Sequence, residues 1–377
     1  MLDGINGIIR PLWVEIEEKA IRENIRRIQA LIGPEIKIMA VLKAEAYGHG
    51  AARVAQIAME EGIDWFGVAT PEEGIALRQA GLKTNILVFG PLLPEQAATF
   101  CDYNLVSTIT MRESAEALSV EACRHNVEMK IHIKIDTGMG RVGFRPEAAR
   151  EEIKKILVLP RLKVDGIYSH FATADSPDLN YAEKQLATFR DLLFHLDSEG
   201  IKFPLKHLAN SGGIINLPAS YFDMVRAGII IYGLYPSPES KQSRLALKPA
   251  FSLKTKVVQV KRVPVGIGIS YGQFYHTKKE TTIATLPIGY ADGWSRALSE
   301  KAEVLIKGEQ YPLVGKICMD QCMVEVGDAP VQVGDEVVLI GQQGAKQITV
   351  DQVASWLDTI NYEIICGISF RVPRVYV

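Results

Sequence analysis

The sequence predicts an α/β protein: a (β/α)8 barrel of the TIM type followed by a mainly antiparallel β domain. Three observations carry this. Between about residues 35 and 235, short apolar runs alternate with amphipathic helical stretches. Eight such repeats is the number that closes a parallel barrel, although an open doubly wound sheet gives the same alternation with fewer. After about residue 240 the helical pattern fades, and β-branched runs broken by Gly and Pro take over.

In order along the chain, Leu12–Ile16 is strand-like. The barrel strands are expected at Ile36–Lys43, Trp65–Ala69, Ile86–Phe89, Leu105–Ile109, Met129–Asp136, Val164–His170, Leu205–Leu208 and Phe222–Val225. Helical patterns lie between them. In Tyr181–Ser198, for example, Leu186, Phe189, Leu193 and Leu196 share one face and Gly200 supplies a stop. The second domain reads as strands at Lys256–Val263, Thr282–Pro287, Glu303–Ile306, Glu336–Ile340 and Phe370–Val377, interrupted by a helix at Val350–Leu357.

Composition narrows the function. A chain of 377 residues is too long for one average domain, and 47% hydrophobic with 23% charged residues leaves ample core. A net charge of −2 without a basic block argues against a nucleic-acid partner. The segment Met1 to Pro11 lacks a basic stretch followed by an apolar core, so no secretory signal is read there. No window reaches the ~18 apolar residues of a membrane span. Five scattered cysteines fit reduced cytosolic thiols rather than a disulfide framework. Cys318 and Cys322 have the look of a metal clip, but no second ligand pair stands at zinc spacing.

The candidate chemistry gathers at strand ends, where a barrel places its functional groups. Lys43 closes the first strand and opens a glycine-punctuated turn. An amine buried there loses hydration, its pKa falls, and it can attack a carbonyl to form a Schiff base. A solvated lysine at a strand end is the plainer alternative. Arg141 lies past the fifth strand, His170 ends the sixth, Ser211 lies past the seventh and Arg226 follows the eighth. Gly138-Met-Gly-Arg-Val-Gly143 has dinucleotide-fingerprint spacing, but Phe144, Arg145 and Pro146 intervene before any helix. Asn210-Ser-Gly-Gly213 and Ala227-Gly228-Ile229 follow strands seven and eight, where such barrels bind phosphate through backbone N–H groups. Arg226 sits inside the apolar run Phe222–Leu234, which weakens the reading of it as a surface ion-pairing residue.

Lys43-Ala-Glu-Ala-Tyr-Gly-His-Gly50 resembles the pyridoxal-phosphate lysine motif of bacterial alanine racemases. Seven more segments keep that family's order: Lys134-Ile-Asp-Thr-Gly-Met-Gly-Arg141, Ser169-His-Phe-Ala-Thr-Ala-Asp175, Asn210-Ser211, Met224-Val-Arg226, Ser270-Tyr-Gly272, Cys318-Met-Asp320 and Asn361-Tyr-Glu363. The resemblance implies a pyridoxal-phosphate barrel at 1–240, a β domain at 241–377, and residues 1–16 pairing with the second domain. It implies that Lys43 carries the cofactor, with Tyr47, His170, Asn210, Ser211, Arg226, Gly228, Ile229 and Tyr362 around it. Lys43 and Tyr271 would be the two bases on opposite faces of the cofactor. A phenol titrates near 10, so Tyr271 needs help from a hydrogen-bonded chain through His170 and Arg226. Arg141 and the Met319 backbone would bind the substrate carboxylate, and Lys134 would be carbamylated to hold Arg141. Tyr290 and Tyr362 would narrow the entrance, and His49, His132 and His207 would be supporting or core histidines.

The implied reaction is interconversion of L- and D-alanine in the cytoplasm, supplying D-alanine for peptidoglycan, by a homodimer whose subunits share active sites. No metal, membrane or nucleic acid enters this reading. An arginine in place of the usual carboxylate at the pyridine nitrogen leaves that nitrogen an acceptor, which favours quick reprotonation over transamination or decarboxylation. A racemase acting on serine or other small amino acids is the nearest alternative. A basic amino-acid decarboxylase would want a carboxylate at Arg226, and a non-catalytic carrier of the cofactor would lack the second domain. The chain departs from the family in Glu45, where Asn is common, and in Ala227, where Pro is.

Overall fold

The computed structural model describes residues 8–242 and 245–377. The chain divides into two compact units. One comprises residues 20–46 and 50–248. The other comprises 8–19, Tyr47–His49 and Pro249–Val377. The division thus falls later than the 240/241 boundary read from the sequence, and the second unit also takes three residues from the turn after Lys43. Of the segment 1–16 expected to join it, residues 1–7 lie outside the described residues, and strand β1 (Leu12–Ile16) does pair there.

In the first unit eight parallel strands follow: β2 (Lys37–Val41), β3 (Trp65–Val68), β4 (Asn85–Pro91), β5 (Val106–Ile109), β6 (Met129–Lys134), β7 (Leu162–Tyr168), β8 (Leu205–His207) and β9 (Met224–Ala227). They neighbour one another in the order β8-β7-β6-β5-β4-β3-β2-β9, as in a barrel. The seam between β8 and β9 is joined by separate backbone bonds rather than a ladder: Asp223 N donates to Lys206 O (3.0 Å) and Arg226 N to Ala209 O (3.0 Å). Strand β9 starts later than the sequence pattern indicates because Phe222 takes a left-handed conformation, φ 50°. That shift places Arg226 within the last strand, not after it. On helix Asn180–Ser198 the buried face is Leu186, Phe189, Leu192 and Leu196, so Leu192 replaces Leu193 in the predicted stripe. Burying each such side chain contributes about 1.5–3 kcal/mol. Met39, Trp65, Leu87, Val106, Tyr168, Leu205 and Met224 pack together in the barrel.

In the second unit come β10 (Phe251–Lys256), β11 (Gln259–Val263), β12 (Gly268–Ile269), β13 (Tyr275–His276), β14 (Thr281–Leu286), β15 (Glu303–Ile306), β16 (Glu309–Pro312), β17 (Cys322–Gly327), β18 (Glu336–Gln343), β19 (Lys346–Ile348) and β20 (Arg374–Tyr376). The main sheet runs β16-β15-β18-β10-β1-β20, with β19 on β18; β11-β14-β17 and β12-β13 form smaller sheets. Among the described residues of this unit, only the β1–β20 pair is parallel. The single strand expected at Lys256–Val263 is two strands in two sheets. The chain changes partner between adjacent residues: Val257 N donates to Asp335 O and Val258 N to Thr285 O. Helix Val350–Leu357 forms as predicted, capped by Thr349. A second helix, Asn361–Gly367, was not foreseen.

Candidate active site

The turn after β2 has an unusual backbone. Lys43–Gly48 closes one helical turn, yet Ala44, Glu45, Ala46 and Tyr47 have φ of 51, 54, 53 and 54°. It is left-handed. The sequence reading took this segment for a loop, since nothing in Ala-Glu-Ala announces a left-handed residue. Each such residue costs about 1–2 kcal/mol because Cβ crowds the following carbonyl, and strain of this kind collects at functional sites. Hydrogen bonds hold it: Ala46 N to Leu42 O (2.7 Å), Gly50 N to Glu45 O (2.9 Å), and Ala44 N to Glu73 Oε1 (2.6 Å). The Glu45 carboxylate turns to the start of helix Ala51–Glu60, accepting from Ala51 N at 3.1 Å. In the second unit, Gly48 passes so close to Ile365 that a Cβ would lie 2.3 Å from its carbonyl oxygen. Tyr47 there meets Tyr362 with ring centres 5.9 Å apart.

Inside the barrel unit, Arg226 is 3% exposed. It bonds His207 Nδ1 (2.8 Å), His170 Nδ1 (3.1 Å), Ser169 O (2.8 Å) and Leu208 O (2.9 Å). A guanidinium only donates, so both histidines must accept at Nδ1 and carry their protons on Nε2. His207 Nε2 then donates to His132 Nδ1 at 2.9 Å. One arginine therefore fixes the tautomers of three histidines. Burial, reinforced by neighbouring cations, holds His132 down at about 3 and His170 and His207 well below the usual imidazole range. Burial lowers Arg226 itself to about 10, so it stays charged at neutral pH.

Tyr168 organises this interior. Its ring stacks on His207 at 4.7 Å, lies 5.3 Å from the Arg226 guanidinium and 5.2 Å from Lys134 Nζ, and its hydroxyl meets Thr108 Oγ1 at 2.8 Å. Lys134, buried at the end of β6, donates to Ile135 O. Desolvation and then Arg226 push its amine down to about 7. His170 is depressed by burial first and then by Arg226, Lys134, Arg141 and Lys43. Four cations thus act on one imidazole.

Arg141 is exposed on the loop after β6, which Asp136 pins by accepting from Gly138 N (3.0 Å) and Gly140 N (3.1 Å). That loop does not open a helix, as a dinucleotide fingerprint must. It returns beside β6, where Phe144 bridges Ile135, and the next helix starts at Pro146. Past β8, the Asn210 side chain caps helix Ser211–Asn216 through Gly213 N (3.0 Å). Ser211 Oγ accepts from Gly228 N at 3.1 Å, tying that helix to the turn after β9, where Ile229 follows.

Tyr271 and Met319 belong to the second unit, 72% and 53% exposed. Ser270, Gly272 and Gln273 around Tyr271 all have positive φ, and Ser270 Oγ anchors the turn on Lys316 O at 2.6 Å. Beside Tyr271 is an open cavity of about 440 Å³, lined in part by Gln259, Lys261, Ser270, Cys318 and Gln321. The Met319 loop is fixed by Tyr290 N on Cys318 O (3.1 Å) and Ala291 N on Met319 O (3.0 Å).

The barrel unit therefore brings together Lys43, Lys134, Arg141, His170, Asn210, Ser211, Arg226 and Gly228, while Tyr47, Tyr271, Met319 and Tyr362 lie in the other unit. Sequence reasoning missed Glu73, Asp136 and Tyr168. Glu73 had a signal, the capping-box pattern Thr70-Pro-Glu-Glu73 that opens helix Pro71–Gln79. Tyr168 had only its place beside Ser169-His170.

Comparison with known proteins covers both parts of the chain. Residues 16–236 match the family described as alanine racemase, N-terminal domain, and residues 250–376 match alanine racemase, C-terminal domain. An alanine racemase of Desulforamulus reducens is 47% identical over 97% of this chain and 99% of its own. The structure of an alanine racemase from Clostridium difficile is 42% identical, with 98% of this chain and 96% of that one covered, and superposes with a TM-score of 0.94. A histidine racemase from Leuconostoc mesenteroides shares the fold at TM-score 0.91 and 30% identity over 98% of each chain. With both domain models matched in order and relatives alike over nearly their full length, the chain belongs to the alanine racemase family of isomerases.

Proposed function

We propose that this protein interconverts L- and D-alanine with pyridoxal 5′-phosphate, using Lys43 and Tyr271 as its two bases. The observation that carries the reading is the charge pattern in the barrel unit. Lys43, Arg141 and Arg226 all act on His170, and Arg226 bonds only neutral groups. Such a site favours an anionic ligand with an acceptor for Arg226, and a phosphorylated pyridine aldehyde has both properties. Lys43 would hold the aldehyde carbon, Arg226 the ring nitrogen, and Asn210, Ser211, Gly228 and Ile229 the phosphate, with Tyr47 and Tyr362 beside it. When bound, the cofactor supplies an electron sink that makes the substrate Cα proton removable.

The chain's own groups do the rest. Lys43 takes or returns that proton on one face and Tyr271 on the other, which is what inversion requires. Arg141 and the Met319 backbone bind the carboxylate. Arg226 cannot give up its proton, so it adds none to the ring nitrogen, and electron density stays near Cα for rapid reprotonation. Burial lowers the Lys134 amine to about 7, which raises the share of its neutral form, the form that reacts with carbon dioxide, and a carbamylated Lys134 belongs to the same proposal. Because Lys43 and Tyr271 lie in different units, a homodimer in which each chain lends Tyr271 to its partner belongs to the same proposal. So do a cytoplasmic location and supply of D-alanine to peptidoglycan. Among the described residues no helix is long and apolar enough to cross a membrane.

The family likeness extends to a histidine racemase at lower identity, so substrate choice needs a direct test. The purified protein with added cofactor is offered a panel of L-amino acids and the loss of optical rotation is followed. L-alanine should racemise fastest, with L-serine at least tenfold slower. Racemisation of serine or histidine with alanine left untouched would overturn the assignment.

A further inference from the structure

We infer that Glu73 is a positioning residue for Lys43, acting through the left-handed turn. The inference rests on Lys43 being the cofactor lysine. Glu73 has two jobs at once. Its Oε2 accepts from Ala69 N (2.7 Å) and Thr70 N (3.3 Å) at the end of β3, which closes the capping box of helix Pro71–Gln79. Its Oε1 reaches across to Ala44 N at 2.6 Å, the first residue after Lys43 and the first with positive φ. The bond to Ala44 is the shorter of these, and it falls where the chain must leave the extended β2 conformation for a disfavoured left-handed one.

Four successive non-glycine residues with positive φ do not persist without outside support. The contacts within the turn, Ala46 N to Leu42 O and Gly50 N to Glu45 O, form only once the turn is wound. The Glu73 carboxylate is different, because it comes from a separate helix start already fixed by its own cap. It ties the backbone at Ala44 to the β3 end, so the Cα of Lys43 is held between β2 on one side and this anchor on the other. An anchored turn presents the amine in one place, and an unanchored one spreads it over several.

The two oxygens allow the jobs to be separated. In Glu73→Gln one oxygen becomes an NH2 group, which cannot accept. Turning the remaining oxygen to the two donors Ala69 and Thr70 keeps the cap and leaves Ala44 N facing an amide donor. Thr70→Ala does the reverse, weakening the cap through the loss of the Glu73 N to Thr70 Oγ1 bond while leaving the Ala44 bond in place. Ala44→Gly removes the Cβ crowding that makes the turn depend on its anchor.

The test loads apo protein with pyridoxal 5′-phosphate, quenches with borohydride at intervals, and measures the modified Lys43 peptide by mass spectrometry. Thermal melting and the kcat and KM for alanine are recorded alongside. Wild type should become fixed at Lys43. Glu73→Gln should attach cofactor at least tenfold more slowly and lose kcat more than KM. Thr70→Ala should match or exceed its loss of thermal stability while attaching at the wild-type rate. Ala44→Gly added to Glu73→Gln should recover at least half of the logarithmic loss. In wild-type protein the Ala44 amide, on an exposed residue, should exchange with solvent at least tenfold more slowly than an unbonded amide, a check that needs no variant. Attachment in Glu73→Gln at the wild-type rate, an equal slowing in Thr70→Ala, or a fast-exchanging Ala44 amide would each overturn the inference. Wild-type protein that is fixed at another lysine would instead remove the reading of Lys43 beneath it.

Discussion

Arg226 shows how much one residue can settle. Its position inside an apolar run marked it in the sequence as buried, and the structure adds what no run could tell: its partners are two imidazoles and two carbonyls, without a carboxylate. In the proposed function that difference would set this site apart from enzymes that keep the cofactor nitrogen protonated. Arg226→Glu should slow alanine racemisation at least tenfold and let pyruvate, the product of transamination, appear during turnover. Faster racemisation with no pyruvate would show that Arg226 does not face the ring. Glu73 was less legible, because a capping box announces a helix start but not a second bond to a turn 29 residues earlier in the chain. The left-handed turn itself was illegible, since Ala44, Glu45 and Ala46 prefer other conformations and only distant contacts impose this one.

Among the elements, the eight barrel strands were legible because buried parallel strands read as short apolar runs. Their ends were less so. The start of β9 depends on one residue, Phe222, whose φ is set by the seam with β8 and not by its own preference. The split between β10 and β11 was hidden because Val257 and Val258, where the chain changes partner, run on into Val260 and Val263 of β11 as one β-branched stretch. The barrel interior carries a further consequence. His132 on β6 and His207 on β8, with His170 after β7, are held neutral by burial among cations, His132 at about 3. In the unfolded chain each returns to near 6.5. Between about pH 6.5 and 3 the unfolded chain therefore binds more protons, and stability falls as pH falls through that window. Urea midpoints measured from pH 7 to 4 should drop steadily, and His132→Leu, though less stable at pH 7, should show a shallower slope. An unchanged slope in that variant would mean His132 does not titrate on unfolding.

At the scale of the whole molecule, the order of motifs made both domains readable, while the small strands β12, β13, β16 and β19 and helix Asn361–Gly367 escaped because each is shorter than its turn-rich surroundings. The candidate bases also divide by domain: Lys43 stands in the barrel unit and Tyr271 in the β unit, exposed on a strained turn. In the proposed function a second copy of the chain would complete the site. The most direct test uses two variants that should each be nearly inactive, Lys43→Ala and Tyr271→Ala. They are unfolded together in equal amounts, refolded with cofactor, and assayed for alanine racemisation. Random reassortment makes about half the dimers mixed, each with one intact site of two, so roughly a quarter of wild-type activity should return. No recovery from the mixture, under conditions in which wild-type protein regains its activity, would contradict a racemase site shared between Lys43 of one chain and Tyr271 of the other.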